Sequence, residues 1–263
     1  MTDINQINQL VQKILPRAGK TISQAFSKHN FIVNYKSDKT LITKIDKEVE
    51  NYIIKQIKQQ FPNHHIFGEE TGGDIDLKET TWVIDPIDGT TNFASGISIF
   101  GTMITIIKTN QVIASFIYDP LTNEFIQANR EKGLYLNLTK LQQKTTPDNL
   151  NQYTLIIESG KKPNKRQLVN QYLNNYESRF RSFRKYGSVV AQAKYITRLQ
   201  PIISIILGAK LYDIAPVSLF FEEIGYETYD LKGNKWQPTN FVSDFIASPT
   251  HLKKEILEMF NSL

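Results

Sequence analysis

The run Trp82-Val-Ile-Asp85-Pro-Ile-Asp88-Gly-Thr-Thr-Asn-Phe93 constrains this chain more than any other stretch. A short apolar strand leads into two carboxylates three residues apart, then into a Gly-Thr-Thr sequence suited to opening a helix. In an extended strand the Cα atoms of Asp85 and Asp88 would stand roughly 10 Å apart, at about 3.3 Å per residue, too far to share a small ion easily. Pro86 favours a turn instead. A turn would present both carboxylates and the Ile87 carbonyl as hard oxygen ligands of the kind Mg²⁺ takes, and two metals could share Asp85. A helix opening at Gly89-Thr90-Thr91 would add free N–H groups as a phosphate cradle, with Gly89 letting a ligand approach the backbone. On these five residues alone, an ordinary Asp-Pro-Ile-Asp-Gly surface turn is an equally good reading.

Two further acidic groups shift that balance. In Phe67-Gly-Glu69-Glu70-Thr-Gly-Gly73 a strand-like His65-Ile66-Phe67 ends in two carboxylates, and Leu211-Tyr-Asp213-Ile-Ala-Pro216 opens an apolar helix. Taken singly, Glu69 and Glu70 read as a solvated pair and Asp213 as a helix N-cap. Taken together with Asp85 and Asp88 they suggest a composite acidic site.

The rest of the chain supplies a mixed scaffold. Apolar residues from Ile4 to Phe26 recur at spacings of three and four, predicting a helix over 3–28 with a kink or break at Pro16. A second helix is expected over Asp46–Phe61, ended by Pro62. β-Branched and aromatic residues mark strands at Trp82–Asp85, Ile99–Lys108, Val112–Tyr118 and Glu124–Asn129, an antiparallel-looking series. Beyond about residue 145 the pattern alternates: strand Tyr153–Glu158, helix Asn164–Tyr176, strand Phe180–Tyr186, then helices Val189–Arg198 and Ile214–Ile224. Two packed subdomains follow, 1–145 carrying most of the candidate ligands and 146–263 contributing Asp213 and a substrate wall. In the Phe180–Tyr186 strand, Phe180 should face the core with Arg179, Arg181 and Lys185 exposed.

The acidic motifs resemble the three motifs of the inositol monophosphatase-like superfamily of Mg²⁺-dependent, lithium-sensitive phosphatases, in the same order along most of the chain. Asp85-Pro-Ile-Asp88-Gly-Thr-Thr-Asn, with Trp82 before it, is similar to the family's middle motif at every specified place. The resemblance implies a layered αβαβα sandwich, α+β to α/β in class, with an antiparallel N-terminal sheet and a mixed C-terminal sheet. It implies two or three Mg²⁺ ions held by Glu69, Asp85, the Ile87 carbonyl, Asp88 and Asp213. Glu69 and Thr90, with Asp46 behind Thr90, would serve the attacking water. Asp88, Gly89, Thr90 and Asp213 would touch substrate, as would Gly187 and Ser188, which match a Gly-Ser-Ala-Ala element. Glu70 and Lys36 would support the site, Lys36 opening a segment to Asp46 that lies over the metals in the family. The expected activity is hydrolysis of a phosphate monoester on a small metabolite, inositol monophosphate first, with a homodimer as the expected assembly.

The chain departs from the pattern in its substrate wall. Position 206 is Ile where inositol phosphatases carry a glutamate, Ile202 replaces an aspartate, and Tyr212 replaces a tryptophan. The segment Pro201-Ile-Ile-Ser-Ile-Ile-Leu-Gly208 argues against strict inositol specificity and keeps NADP, 3′-phosphoadenosine nucleotides and fructose 1,6-bisphosphate as alternatives.

Composition closes off other classes. The 263 residues carry a net charge of +5, which suits anionic partners, but no long polybasic tail points to nucleic acid. A regulator that binds nucleic acid or another anion without turnover is the alternative from a different class. With no cysteine there is neither a disulfide nor a thiolate nucleophile. No G-x-x-x-x-G-K-[ST] loop supports a nucleotide kinase, and His29, His64, His65 and His251 have no metal-ligand spacing. The polar start of the chain and the shortness of its apolar runs predict a cytoplasmic protein rather than a membrane one.

Overall fold

A computed structural model describes residues 4–28, 33–35, 41–142 and 145–262. The chain opens with helix α1 (Ile4–Lys28), the short hairpin β1 (Val33–Tyr35) and β2 (Leu41–Thr43), and helix α2 (Lys44–Gln60). The α1 helix continues through Pro16 without the expected break. Strands β3 (His65–Gly68), β4 (Gly72–Gly73) and β5 (Thr81–Asp88) follow, then helix α3 (Thr90–Ala94). A meander completes this half: β6 (Gly101–Lys108), β7 (Gln111–Asp119), β8 (Glu124–Asn129), β9 (Gly133–Leu136) and β10 (Thr139–Lys140).

The second half runs β11 (Thr154–Ser159), α4 (Pro163–Tyr176), β12 (Ser182–Arg184), α5 (Val189–Thr197), β13 (Ile202–Lys210) and α6 (Leu211–Glu223). It closes with β14 (Glu227–Tyr229), β15 (Val242–Ser248) and α7 (Lys253–Asn261). The β12 strand is shorter than the sequence pattern suggests. Phe180 is buried ahead of it, while Arg179, Arg181 and Lys185 are exposed as expected.

Two sheets form. The first, in order β10-β9-β8-β7-β6-β5-β3-β4, is antiparallel except for the parallel pair β3–β5. The second, β12-β11-β13-β15-β14, is mixed: β11 pairs in parallel with β12 and β13, and β15 is antiparallel to β13 and β14. The layers are legible from alternation along single strands. On β5, Trp82 and Ile84 pack with Ile53 of α2 and Ile14 of α1, whereas Val83 points to the opposite face and joins α5 and α6. On β13, Ile203 and Ile205 pack with Val169 of α4 and Ile256 of α7, whereas Ile202 and Ile206 join the α5 and α6 layer. The order is therefore helices, sheet, helices, sheet, helices, the expected αβαβα sandwich. Its middle core draws on residues from both sides of position 145.

Candidate active site

The centre of the site is an irregularity in β5. Asp85 lies opposite Met103 and Asp88 opposite Gly101, so three steps on β5 match two on β6. The expected turn is instead a bulge inside a continuous strand. In a regular strand, residues an odd number apart face opposite sides; the extra residue reverses that alternation and brings both carboxylates to one side. Pro86 has no N–H to lose from the ladder, and its carbonyl accepts the Thr102 hydroxyl at 2.9 Å.

Oxygen atoms of Asp85, Asp88 and Asp213 lie within 4.8 Å of one another. Asp213 arrives from the far half of the chain as the third residue of α6 rather than as its N-cap, and its carboxylate accepts the Lys210 N–H at 3.0 Å. Asp88 is held by the Ser188 hydroxyl at 2.5 Å and the Val190 N–H at 2.8 Å, at the start of α5. Asp85 Oδ1 is buried and has no hydrogen-bond partner among the described residues. Glu69 follows β3, and its N–H donates to the Ile84 carbonyl at 3.0 Å. The two N–H groups after it, of Glu70 and Thr71, donate to the Glu50 carboxylate at 2.9 and 2.7 Å. Glu50 takes space that a side chain at 68 would need: a Cβ on Gly68 would stand 2.3 Å from its carboxyl carbon.

This crowding has an electrostatic consequence. Burial, reinforced by Glu69, Asp88 and Asp213, drives the Asp85 carboxyl well above the ordinary carboxylate range. Burial lifts Asp88 to about 6 despite its bonds to Ser188 and Val190. It lifts Asp213 to about 8, with Glu69 and Asp88 adding to the effect. Like charges about 4 Å apart repel by about 4 kcal/mol at an effective dielectric near 20, so the cluster stores a penalty that a cation removes.

Asp46 forms a second tier. It caps its own helix by accepting the Thr43 N–H at 2.8 Å and hydroxyl at 2.5 Å. Its other oxygen lies 3.3 Å from the Thr90 hydroxyl, which also reaches the Ile87 carbonyl at 2.8 Å. Burial raises Asp46 to about 6. Gly89 precedes α3 with φ of 82°, and a Cβ there would stand 2.7 Å from the Ile99 carbonyl oxygen. Asn92 ties this turn to the second half by donating to the Ile99 and Tyr186 carbonyls, each at 2.9 Å.

A cleft of 680 Å³ joins these parts; Glu69, Asp85, Ile87, Asp88, Gly89 and Thr90 line it together with Gly187, Ser188 and Asp213. Tyr212 and Ile206 line it as well, but Ile202 does not: four residues earlier on β13, it is fully buried in the middle core, so of the three departures Ile206 and Tyr212 face the cleft. Lys36 lies outside the described residues, as does His29. His64 has a packing role, stacked on Phe61 and accepting the Trp82 indole N–H at 3.0 Å. Sequence reasoning missed Glu158, a buried carboxylate in the cleft wall that accepts the Tyr186 and Gly187 N–H groups at 2.6 and 2.9 Å. Its signal was a lone acid ending an apolar strand.

The model of the inositol monophosphatase family matches residues 3–263. The chain belongs to the inositol monophosphatase family. It is accordingly a metal-dependent phosphatase that hydrolyses phosphate monoesters. Inositol-1-monophosphatase of Bacillus subtilis is 29% identical, covering 99% of this chain and 98% of that protein. The Nus factor SuhB of Vibrio cholerae is 30% identical, covering 92% of this chain and 91% of that one. Among solved structures, inositol monophosphatase-II from Staphylococcus aureus superposes with a TM-score of 0.80 at 26% identity, over 96% of this chain and 94% of the other. No helix among the described residues is long and apolar enough to cross a membrane.

Proposed function

We propose that this member of the inositol monophosphatase family carries out Mg²⁺-dependent hydrolysis of phosphate monoesters on small metabolites, accepts inositol monophosphate, and uses water as nucleophile. The observation that carries the reading is the buried, unpartnered Asp85 Oδ1 inside a three-aspartate cluster. An orphaned carboxylate oxygen among like charges has one simple complement, a hard cation, and every donor at this site is oxygen. When bound, two or three Mg²⁺ ions would neutralise the phosphoryl oxygens, acidify a water and stabilise the leaving oxygen.

The chain's own residues divide the remaining work. Glu69, Asp85, Asp88 and Asp213, with the Ile87 carbonyl, hold the cations. The single proton of the Thr90 hydroxyl is engaged by Ile87 and Asp46, which leaves its lone pairs to accept a hydrogen bond from the attacking water. Glu69 takes the proton that this water sheds, and Asp46 acts through Thr90 by fixing the direction of its hydroxyl. Gly89 and Thr90 offer backbone N–H groups to the phosphoryl oxygens, while Gly187 and Ser188 form the facing wall. Attack in line with the ester oxygen needs no covalent phosphoenzyme. The family resemblance adds a homodimer to the proposal.

The experiment is a Mg²⁺-dependent phosphate-release screen over inositol phosphates, NADP, phosphoadenosine nucleotides and sugar bisphosphates, with lithium as a control. Asp88→Asn and Glu69→Gln are expected to abolish turnover while the circular dichroism spectrum stays unchanged. Near-normal hydrolysis by purified Asp88→Asn would overturn the site assignment. The SuhB relative favours a second reading, an anion- or nucleic-acid-binding regulator without turnover, which the net charge of +5 suits. Its signature is binding that weakens steeply with salt and no Mg²⁺-dependent phosphate release.

A further inference from the structure

The cleft carries a second, oppositely charged set of side chains. Lys162 and Arg166 from the start of α4, and Lys185 from the segment after β12, line the same space as the three aspartates. Arg166 and Asn170 are spaced by four along α4, Lys162 sits at its N-cap with extended backbone, and all three line the cleft, so this end of the helix presents a group of donors to it. Lys165, one residue before Arg166, is instead paired with Asp244 at 2.5 Å.

Other basic residues of this half also have carboxylate partners. Arg179 pairs with Glu255 at 2.5 Å, Lys253 with Glu227 at 2.9 Å, and Lys194 and Arg198 with Asp119 and Glu124. The side chains of Lys162 and Arg166 have no hydrogen-bond or carboxylate partner among the described residues. Lys185 bears on Glu158, whose charge it stabilises. The neighbouring wall residue Ile206 offers no polar atom to a sugar hydroxyl. A neutral polyol would leave both cations unused, whereas a second phosphate would give them a dianionic partner with the geometry that guanidinium groups match well.

We propose that Lys162 and Arg166, with Lys185, bind a second phosphate group of the substrate. The preferred substrate class is then a bisphosphorylated small metabolite, in which one phosphate is cleaved at the aspartate cluster and the other is held against α4. The inference rests on the phosphatase reading for the cleaved phosphate and on the cationic group for the retained one.

Matched pairs test it: fructose 1,6-bisphosphate against each fructose monophosphate, and adenosine 3′,5′-bisphosphate against each adenosine monophosphate. These arms also separate a sugar carrier from a nucleoside one. For at least one pair the native protein should favour the bisphosphate in kcat/KM by about tenfold or more. Lys162→Ala/Arg166→Ala should erase most of that preference by raising KM for the bisphosphate about tenfold, with no more than about a twofold effect on the matched monophosphates, and Arg166→Lys should retain part of it. Equal kcat/KM within every pair, or an equal loss on both members in the double variant, overturns the proposal. Calorimetric titration of the same compounds judges the subsite separately from turnover. Tighter binding of a bisphosphate that the double variant loses supports the subsite even where nothing is hydrolysed, a result that would sink the phosphatase reading alone. Equal binding within all pairs sinks the subsite even if monoesters are cleaved.

Discussion

Replacing Asp213 with asparagine removes one charge from the aspartate cluster but keeps an oxygen able to accept the Lys210 N–H, now 3.0 Å away. Burial, with the charges of Glu69 and Asp88, lifts this carboxyl from 3.8 to about 8. An acid raised by folding favours the folded state while protonated. Its contribution is fully present below the unfolded value of 3.8 and is lost as pH rises to about 8. At about 1.4 kcal/mol per unit, the metal-free protein at about pH 8 bears roughly 5 kcal/mol for ionising Asp213. Asp85 and Asp88 share part of that load, so Asp213→Asn should stabilise the metal-free fold by about 2–5 kcal/mol. Urea unfolding in EDTA from about pH 5 to about pH 8.5 should show the gain growing with pH. Saturating Mg²⁺ should shrink that gain, because a cation at about 100 times its Kd adds about 2.7 kcal/mol to the native protein and little to the variant. A variant no more stable than the native protein in EDTA at the alkaline end, or a gain independent of pH, would refute the charge-crowding argument.

Two other substitutions probe the scaffold of the site. Gly89→Ala forces a side chain into a φ of 82° and against the Ile99 carbonyl 2.7 Å away; it should cost about 1–3 kcal/mol in thermal unfolding and lower kcat as well. Ser188→Ala leaves Asp88 with the Val190 N–H but without the hydroxyl that lowers its pKa. Loss of that bond should cost about 1–3 kcal/mol and move the acid limb of the pH–activity profile upward, since Asp88 then holds its proton to higher pH. An unmoved or lowered acid limb would mean that Asp88 does not govern it.

Much of the scaffold was legible because its signals are local. The β-branched and aromatic run in Glu124–Asn129 and the period near 3.6 in Asp46–Phe61 are signals of this kind, and α2, β8 and α4 fall where such patterns put them. The β5 bulge was not legible. Pro86 reads as a turn residue, and only pairing with β6 shows that the strand continues with one residue to spare. Glu158 and the α4 cations were missed for a related reason: a lone acid and a lysine-rich helix start look like solvated surface until a facing wall encloses them.

By itself the sequence determined the donors: Glu69, Asp85, Asp88 and Asp213 are hard oxygen ligands wherever they sit, and the apolar runs marked the segments that become buried strands and helices. Tertiary structure alone decided the partners. It took the bulge to turn Asp85 and Asp88 to one side, the docking of α6 to bring Asp213 within reach, and the depth of β13 to place Ile206 in the cleft and Ile202 in the core. The physical reason is that a side chain's direction follows from backbone geometry within a few residues. Its neighbours across the cleft depend instead on how whole layers pack, and no short stretch of sequence carries that information.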